Sequence, residues 1–359
     1  MSGQSSGLSY DAVLLVSFGG PEGMSDVMPF LENVLRGRNV PRERLLNVAR
    51  HYELFGGVSP INEQNRQLIS SLKKEFETSG PHLPIYFGNR NWHPMLADTI
   101  RKMRDEGIKK ALAFVTSGYS SYSSCRQYLE VIERARESVG ADAPRIEKLR
   151  AFYNHPGFIE ANVANVRASL EQIPEERRAA TELVFTAHSI PETMALNCDY
   201  ETQLQEASRL VFEGLVAPSG QAPTGQGESA STRKSGPRSY KLAFQSRSGS
   251  PSQPWLGPDV CDHLRVLQAD GARDVIVAPI GFVSDHMEIV YDLDTEAAAL
   301  CRELGITMIR AATAGTHPAF VKMIRELILE RLEPTMPRRS LGSQGPRADV
   351  CQPGCCVTG

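Results

Sequence analysis

The amino-acid sequence predicts an α/β protein with two doubly wound parallel-sheet domains, and three observations lead to this fold class. Short apolar runs alternate with amphipathic segments of helical length along the 359-residue chain. Eight of these runs have strand character, and the helices between them supply the crossover connections that parallel strands need. A chain of this length can also bury two separate cores. We therefore expect two doubly wound domains of similar size.

The first half of the chain starts with a strand predicted to be buried on both faces. Residues 12–18 form a continuous apolar run that ends in a Gly-Gly-Pro turn. Similar runs predict strands near 85–89, at 111–117 and at 146–153. Amphipathic spacing predicts helices at 25–36, at 42–54, up to about residue 76, from Pro94, from Cys125 and at 156–170.

The second half repeats this alternation. Strands are predicted to end at His188 and at Arg247 and to cover 274–280 and 305–310. Helices are predicted at 200–215, 258–269 and 317–332, with an acidic helix after residue 284.

These elements set the expected domain bounds. The first domain covers 10–165 and is joined by the C-terminal helix 316–333, and the second covers 166–315. Residues 217–239 are rich in Gly, Ser and Pro and predict a flexible surface insertion in the second domain. A polar N-terminal tail, 1–9, and a cysteine-bearing C-terminal tail, 334–359, complete the chain.

The acidic helix carries an unusual run of negative charge. Asp285, Glu288, Asp292 and Glu296 are three or four residues apart, which places four carboxylates on one helical face. Like charges at this spacing cost about 0.2–0.5 kcal/mol per pair. Either a solvated outer face or a wall that handles a cation or protons would tolerate that cost. Because ligands bind beyond the carboxyl ends of parallel strands, His188 and this helix are both candidates for a site.

Composition narrows the classes of function. The net charge is −3, with 23% charged and 41% hydrophobic residues, which is ordinary for a globular protein and gives no basis for nucleic-acid binding. The N-terminal residues are polar, and no stretch approaches the about 18 consecutive apolar residues of a membrane span. We therefore expect a cytoplasmic protein without a transmembrane segment.

The seven cysteines are unevenly distributed. In a reducing compartment they would make a poor disulfide framework, so the crowding of Cys351, Cys355 and Cys356 into the last nine residues suggests metal ligation. The remaining internal cysteines other than Cys125 lie in or beside apolar segments and receive no function: Cys198, Cys261 and Cys301.

Five separated motifs occur along the chain: LLVSFGGPEG, GGVSPIN, VFTAHSIPE, QSRSGSPSQPWL and GFVSDHMEIVYDLD. Together they resemble the ferrochelatases from about Asp11 to Leu332. The Cys125 loop and the cysteine-bearing tail look most like actinobacterial members, which use coproporphyrin III and make coproheme. The resemblance implies two Rossmann-like, chelatase-like domains with the porphyrin cleft between them, Fe²⁺ as a substrate, and a role in heme biosynthesis. It also implies transient contact with the next heme-pathway enzyme.

The resemblance assigns roles to individual residues. The family's histidine falls on His188, as proton acceptor or metal ligand, and its glutamate falls on Glu288, on the opposite side of the cleft. A neutral imidazole can accept a pyrrole proton, and oxygen and nitrogen donors suit ferrous iron that must be released again. Asp285 and Asp292 then form a path for iron or expelled protons, whereas Glu296 remains surface. The implied porphyrin contacts are Ser59 and Tyr128, with His51, Tyr52, Arg90 and Arg126 available for the propionates.

Two positions depart from the family pattern. Phe18 stands where firmicute members have a tyrosine that can ligate iron, which puts axial ligation from that side in question. His51 stands where those enzymes have arginine, which changes one expected propionate contact.

The cysteines resemble those of the family branch that holds a [2Fe-2S] cluster with one internal and three C-terminal cysteines. The corresponding residues here are Cys125, Cys351, Cys355 and Cys356. Such a cluster would tie the tail to the first domain and act mainly on stability. The alternative is a tail whose thiols bind metal only adventitiously.

Three other functions fit parts of the sequence. A protoporphyrin IX ferrochelatase would use the same chemistry on a ring with two propionates instead of four. Cobalt or nickel chelatases for sirohydrochlorin-type rings are usually shorter and lack the paired HSIPE and GFVSDHMEIVYD motifs. A tetrapyrrole or iron carrier would bind its ligand without inserting metal.

Overall fold

The computed structural model describes residues 9–37, 40–216, 236–248, 252–351 and 354–357. In this part of the chain eight strands form two four-stranded parallel sheets, with the orders β2-β1-β3-β4 and β6-β5-β7-β8. The first sheet contains β1 (Ala12–Ser17), β2 (Ile85–Asn89), β3 (Lys110–Val115) and β4 (Arg145–Lys148). The second contains β5 (Glu182–His188), β6 (Ser239–Gln245), β7 (Asp274–Ala278) and β8 (Thr307–Arg310). The predicted class, an α/β fold with two parallel-sheet domains, is confirmed.

Helices connect the strands throughout. Those that the structure describes are α1 (Met24–Val34), α2 (Arg42–Glu53), α3 (Ile61–Ser79), α4 (Leu96–Asp105), α5 (Gln127–Val139), α6 (Pro156–Leu170), α7 (Glu175–Arg178), α8 (Glu192–Ala195), α9 (Tyr200–Val216), α10 (Val260–Ala269), α11 (Met287–Val290), α12 (Ala298–Leu304) and α13 (Pro318–Leu332). Two further turns are π-helical, Tyr122–Arg126 and Asp292–Ala297. None of these helices combines the length and the apolar character needed to cross a membrane.

Both faces of β1 are covered by apolar packing. Val13 and Leu15 face one buried cluster, whereas Leu14 and Val16 face another. The first cluster continues into the second sheet, where Phe185 of β5 belongs to it. Burial on both faces explains why these strands appear in the sequence as continuous apolar runs instead of alternating ones.

The last helix packs with the first half of the chain. α13 lies against α3 and α6. Arg150, which follows β4, forms a bidentate salt bridge with Glu330 of α13 at 2.7 and 2.8 Å, and both side chains are almost fully buried. Arg150 Nη2 also donates to the carbonyl oxygen of Arg339, 2.9 Å away. The chain that follows α13 is therefore anchored to the first half of the protein.

Two predicted elements differ from the structure. The strand predicted at 146–153 ends at Lys148, since the chain beyond it leaves the sheet and carries Arg150 to its buried partner. The predicted acidic helix is broken into α11, the π-helical turn and α12. Asp285 precedes α11, and its carboxylate pairs with Arg310 at 3.1 and 3.2 Å. The prediction of four carboxylates on one helical face is therefore wrong for Asp285, because a tertiary ion pair holds it elsewhere.

Some predicted segments are not covered. Residues 217–235 of the predicted insertion and residues 1–8 of the predicted N-terminal tail lie outside the described residues. The domain bounds given above stay predictions.

Candidate active site

A large cavity opens between the two sheets. Its volume is about 1310 Å³, which exceeds the about 300–1,000 Å³ usual for small-molecule sites. The residues that line it near the carboxyl ends of six strands include Phe18, Arg90, Thr116, His188, Ser246 and Gly281. Helices α1 and α2 add an apolar wall that contains Phe30 and Leu45. The cavity therefore lies where parallel sheets place their ligands.

His188 and Glu288 form a close pair at the cavity wall. His188 ends β5, and Glu288 lies in α11, which follows the neighbouring strand β7. His188 Nε2 lies 3.5 Å from Glu288 Oε1, with 30% and 44% of the two side chains exposed. The Nδ1–H of His188 donates to the carbonyl oxygen of Ser189, which leaves Nε2 for the carboxylate. The expectation that they occupy opposite sides of the cleft is wrong, because both follow strands of the same sheet.

The contact determines the charge of both groups. Burial alone would lower the pKa of His188, but the adjacent Glu288 carboxylate outweighs it and raises that pKa to about 9. Burial opposes ionisation of Glu288, yet the imidazolium lowers its pKa to about 2. The two side chains therefore form an ion pair at neutral pH. The expected neutral imidazole is not the form that this geometry favours, so a pyrrole proton could be accepted only after His188 has lost its own.

The acidic wall continues beyond this pair. Asp292 and Glu296 both line the cavity, and Glu296 is exposed, in agreement with its expected surface position. Burial raises the pKa of Asp292 to about 7, with further help from the charges of Glu288 and Glu296 and against a hydrogen bond from the Ser246 hydroxyl. Asp292 therefore changes protonation near neutral pH. Asp285 does not line the cavity, because Arg310 holds it outside, and it offers no step in a path for iron.

Most of the residues expected to contact a porphyrin lie at the cavity. These are Ser59, Tyr128, His51, Tyr52 and Arg90. The Arg90 guanidinium lies over the rings of Phe18 and Tyr128, at 5.7 and 5.6 Å from their centroids. His51 stacks on Tyr291, with ring centroids 3.6 Å apart. The ring of Phe18 therefore makes a cation–π contact with the Arg90 guanidinium. The stack of His51 on Tyr291 brings α2 into direct contact with the segment that carries Glu288 and Asp292.

Comparison with known proteins identifies the family. The family model described as Ferrochelatase matches residues 10–332. This chain belongs to the ferrochelatase family. A ferrochelatase from Rhodopirellula baltica is 55% identical to it over 349 residues, which cover 97% of this chain and 93% of that protein. A coproporphyrin III ferrochelatase from Streptomyces griseus is 48% identical over 359 residues, with 97% of this chain and 93% of the relative covered.

A solved structure has a similar fold. SirB from Bacillus subtilis, in a structure with Fe³⁺, aligns with a TM-score of 0.54 at 12% identity, and the alignment covers 92% of this chain and 99% of that one. At this level of identity the likeness concerns the fold alone. The resemblance inferred from the five sequence motifs is confirmed by the family match.

One residue expected to contact the porphyrin in this ferrochelatase does not reach the cavity. Arg126 Nε pairs with Glu130 Oε1, 3.1 Å away and one turn further along the chain. Its Nη1 donates to the carbonyl oxygen of Cys355 at 3.4 Å. The prediction that Arg126 meets a propionate is therefore wrong, because its side chain is directed at the C-terminal tail.

Two cavity residues of this ferrochelatase that contact the His188–Glu288 pair were not assigned from the sequence. His286 Nδ1 accepts the backbone N–H of Glu288 at 3.2 Å and lies 3.7 Å from Glu288 Oε2. The Tyr200 hydroxyl donates to the carbonyl oxygen of His188, 3.1 Å away. The position of His286, two residues before Glu288 at a helix start, was a usable signal. Nothing in the sequence around Tyr200 marks it.

The structure brings Cys125 and the cysteine-bearing tail together. Cys125 Sγ lies 4.0 Å from Cys351 Sγ, and both Cys125 and Cys356 are buried. Burial raises the pKa of Cys356 to about 12, with contributions from Cys125 and Cys355. Within the described ranges, no three His, Cys, Asp or Glu side chains have the arrangement that holds a metal ion. The thiols are thus neighbours, but they do not form a metal-binding group.

Proposed function

We propose that this member of the ferrochelatase family inserts Fe²⁺ into coproporphyrin III to give Fe-coproporphyrin III, coproheme. The observation that carries the proposal is the His188–Glu288 pair in the wall of a cavity of about 1310 Å³. The choice of substrate is supported by relatives from Streptomyces and Nocardia that are named coproporphyrin III ferrochelatase.

The reaction releases two pyrrole protons for each Fe²⁺ that enters the ring. His188 Nε2 and Glu288 Oε1 offer the ion one nitrogen and one oxygen donor from a single wall, and such donors bind ferrous iron less tenaciously than a thiolate cage would. A dication that enters beside Glu288 competes with the imidazolium for the carboxylate. His188 then releases its proton and becomes able to ligate the ion or to accept a pyrrole proton.

The other walls of the cavity can contact the porphyrin ring and accept the protons that it releases. Phe30 and Leu45 supply apolar contacts on the side of α1 and α2, and contacts away from the nitrogens can hold a bent ring whose strain is about 1–5 kcal/mol. Arg90 can pair with a propionate. Asp292, whose pKa responds to the charges of Glu288 and Glu296, can take up and release protons that leave the site.

The substrate proposal predicts a preference between two porphyrins. Under anaerobic conditions with one detergent, the purified protein is expected to insert Fe²⁺ into coproporphyrin III at least about tenfold more efficiently, in kcat/KM, than into protoporphyrin IX, because two additional carboxylates can be paired. The absorbance change on metallation measures both rates.

Other outcomes of this assay separate the alternatives. Preference for protoporphyrin IX would keep the mechanism and overturn the substrate. Tight binding of both porphyrins without insertion of iron into either would favour the carrier function over an enzyme.

We also propose that Cys125, Cys351, Cys355 and Cys356 hold a [2Fe-2S] cluster. The donor set suits it, since the Sγ atoms of Cys125 and Cys351 are 4.0 Å apart and Arg126 binds the Cys355 carbonyl. The described thiols do not yet have metal-binding geometry, so the tail must adjust to bind it. When bound, the cluster would supply four iron–thiolate bonds that fix the tail to the first domain.

The cluster proposal predicts a stability effect that can be measured without turnover. Cys351→Ser is expected to remove the visible absorption of anaerobically purified protein and to lower its Tm by more than about 5 °C, because one ligand and its link to the tail are lost. Cys261→Ser is the matched control, since Cys261 lies in α10 at the cavity and is not one of the four proposed ligands. Equal spectra and equal Tm for Cys351→Ser and the unmodified protein would contradict a cluster.

Two expectations from the sequence remain predictions: the cytoplasmic location and transient contact with the next enzyme of heme synthesis.

A further inference from the structure

The imidazole of His188 is positioned through its own backbone. His188 is the last residue of β5 and pairs in register with Gln245, the last residue of β6. Just beyond this pair, the backbone N–H of Ser189 still donates to the carbonyl oxygen of Gln245, 2.8 Å away. The carbonyl oxygen of His188 accepts a hydrogen bond from the hydroxyl of Tyr200, 3.1 Å away. Tyr200 is 5% exposed, so this bond is shielded from water and strengthened by its surroundings.

The same turn of α9 is also tied to the other sheet. One turn after Tyr200, Gln203 accepts the backbone N–H of Ser120 at 2.8 Å and donates to the Ser120 hydroxyl at 3.0 Å. Both partners are buried. Ser120 lies in the connection after β3, next to Ser121, which lines the cavity. The first turn of α9 therefore links the serine-rich side of the cavity to the backbone of His188.

A neighbouring tyrosine provides an internal comparison. Tyr119 is 2% exposed, and its hydroxyl donates to the carbonyl oxygen of Ile280 at 2.9 Å. Its ring meets that of Tyr200 edge to face, with centroids 6.0 Å apart. The two phenols thus share one environment and one kind of bond. They differ in the acceptor, because Tyr200 alone of the two binds the residue that carries the imidazole.

We propose that Tyr200 is a positioning residue for His188, fixing the imidazole against Glu288 by holding the carbonyl oxygen of His188 at the carboxyl end of β5. The proposal rests on the proposed function insofar as it concerns the rate of iron insertion. Loss of the hydroxyl removes the hydrogen bond to the carbonyl oxygen of His188, while the end of β5 keeps its pairing with β6 and the hydrogen bonds of Ser189. A displaced imidazole slows the chemical step, whereas the affinity for porphyrin, which depends on contacts across the whole cavity, stays the same.

The test compares Tyr200→Phe with Tyr119→Phe, each of which removes one buried hydroxyl and keeps the ring. In anaerobic Fe²⁺ insertion with coproporphyrin III, Tyr200→Phe is expected to lower kcat about five- to tenfold with KM for the porphyrin unchanged. Tyr119→Phe is expected to keep kcat within about twofold of the unmodified protein. A second readout is the ¹⁵N spectrum of histidine-labelled protein, in which the ring nitrogen shifts of His188 move in Tyr200→Phe and not in Tyr119→Phe.

The spectrum tests the proposal even if the unmodified protein inserts no iron into coproporphyrin III, an outcome that would overturn the proposed function alone. Unchanged His188 shifts in Tyr200→Phe would overturn the positioning role. Equal losses of kcat in both variants, with KM raised in both, would also overturn it. Such a result would mean that either hydroxyl contributes only to the packing between the two sheets.

Discussion

Replacing His188 with alanine is expected to abolish measurable Fe²⁺ insertion, with a loss of at least about 10²–10⁴-fold in kcat. The substitution removes the nitrogen donor that lies 3.5 Å from Glu288 and the group that can receive a pyrrole proton. It leaves the apolar wall of α1 and α2 intact, so the Kd for coproporphyrin III should change less than about threefold. Porphyrin fluorescence measures binding, and absorbance on metallation measures insertion.

The matched control is His82→Ala. His82 is an exposed histidine before β2 and takes no part in the cavity, so insertion should match that of the unmodified protein. Normal turnover by His188→Ala would exclude His188 from the chemistry. A parallel loss of porphyrin binding would assign His188 to binding the ring instead.

Glu288→Gln is expected to give the second largest effect, a fall in insertion rate of more than about 10²-fold with the fold preserved. Glutamine has the same shape but cannot offer a charged oxygen to the dication. The substitution also removes the charge that raises the pKa of His188. That pKa should therefore fall toward its ordinary value, and the imidazole of the variant should stay neutral to lower pH. Insertion assays and a histidine NMR titration measure the two effects separately.

A carboxylate outside the site provides the comparison for this variant. Glu303 lies exposed in α12, further along the same acidic segment, so Glu303→Gln should leave the rate and the titration of His188 unchanged. If Glu288→Gln inserted iron at the normal rate, the acidic wall would have no part in handling the metal and the solvated-face interpretation would be restored.

Local pattern was enough to predict the fold class because the strands are buried on both faces. The run at residues 12–18 contains Leu14 and Leu15, which face different clusters, and only a covered parallel strand needs both to be apolar. The residue at which β4 ends could not be predicted from the local pattern. Its boundary depends on where Arg150 must turn to reach Glu330, 180 residues further along the chain.

The candidate site could be predicted where a residue belongs to a sequence motif. It could not be predicted where tertiary contacts determine the position of a side chain. His188 and Glu288 stood out because polar residues follow apolar strands. Their mutual contact depends on β5 and β7 being neighbours, which the strand order alone decides. Asp285 and Arg126 have the right chemistry for the site, but Arg310 and the C-terminal tail hold them elsewhere. No periodicity in the sequence reports such partners.

The placement of α13 has a consequence for biosynthesis. The apolar surface shared by α3 and α6 is covered by the last helix of the fold, with Phe320 and Ile324 in the same buried cluster as Val13 and Leu15. A ribosome that adds about 5–20 residues per second needs roughly 7–30 s to synthesise the chain between α6 and α13. During that interval the N-terminal half leaves the exit tunnel with an uncovered apolar surface. The core of this half is completed only near the end of translation. Until then its exposed apolar surface is the part of the nascent chain that we expect a chaperone to bind.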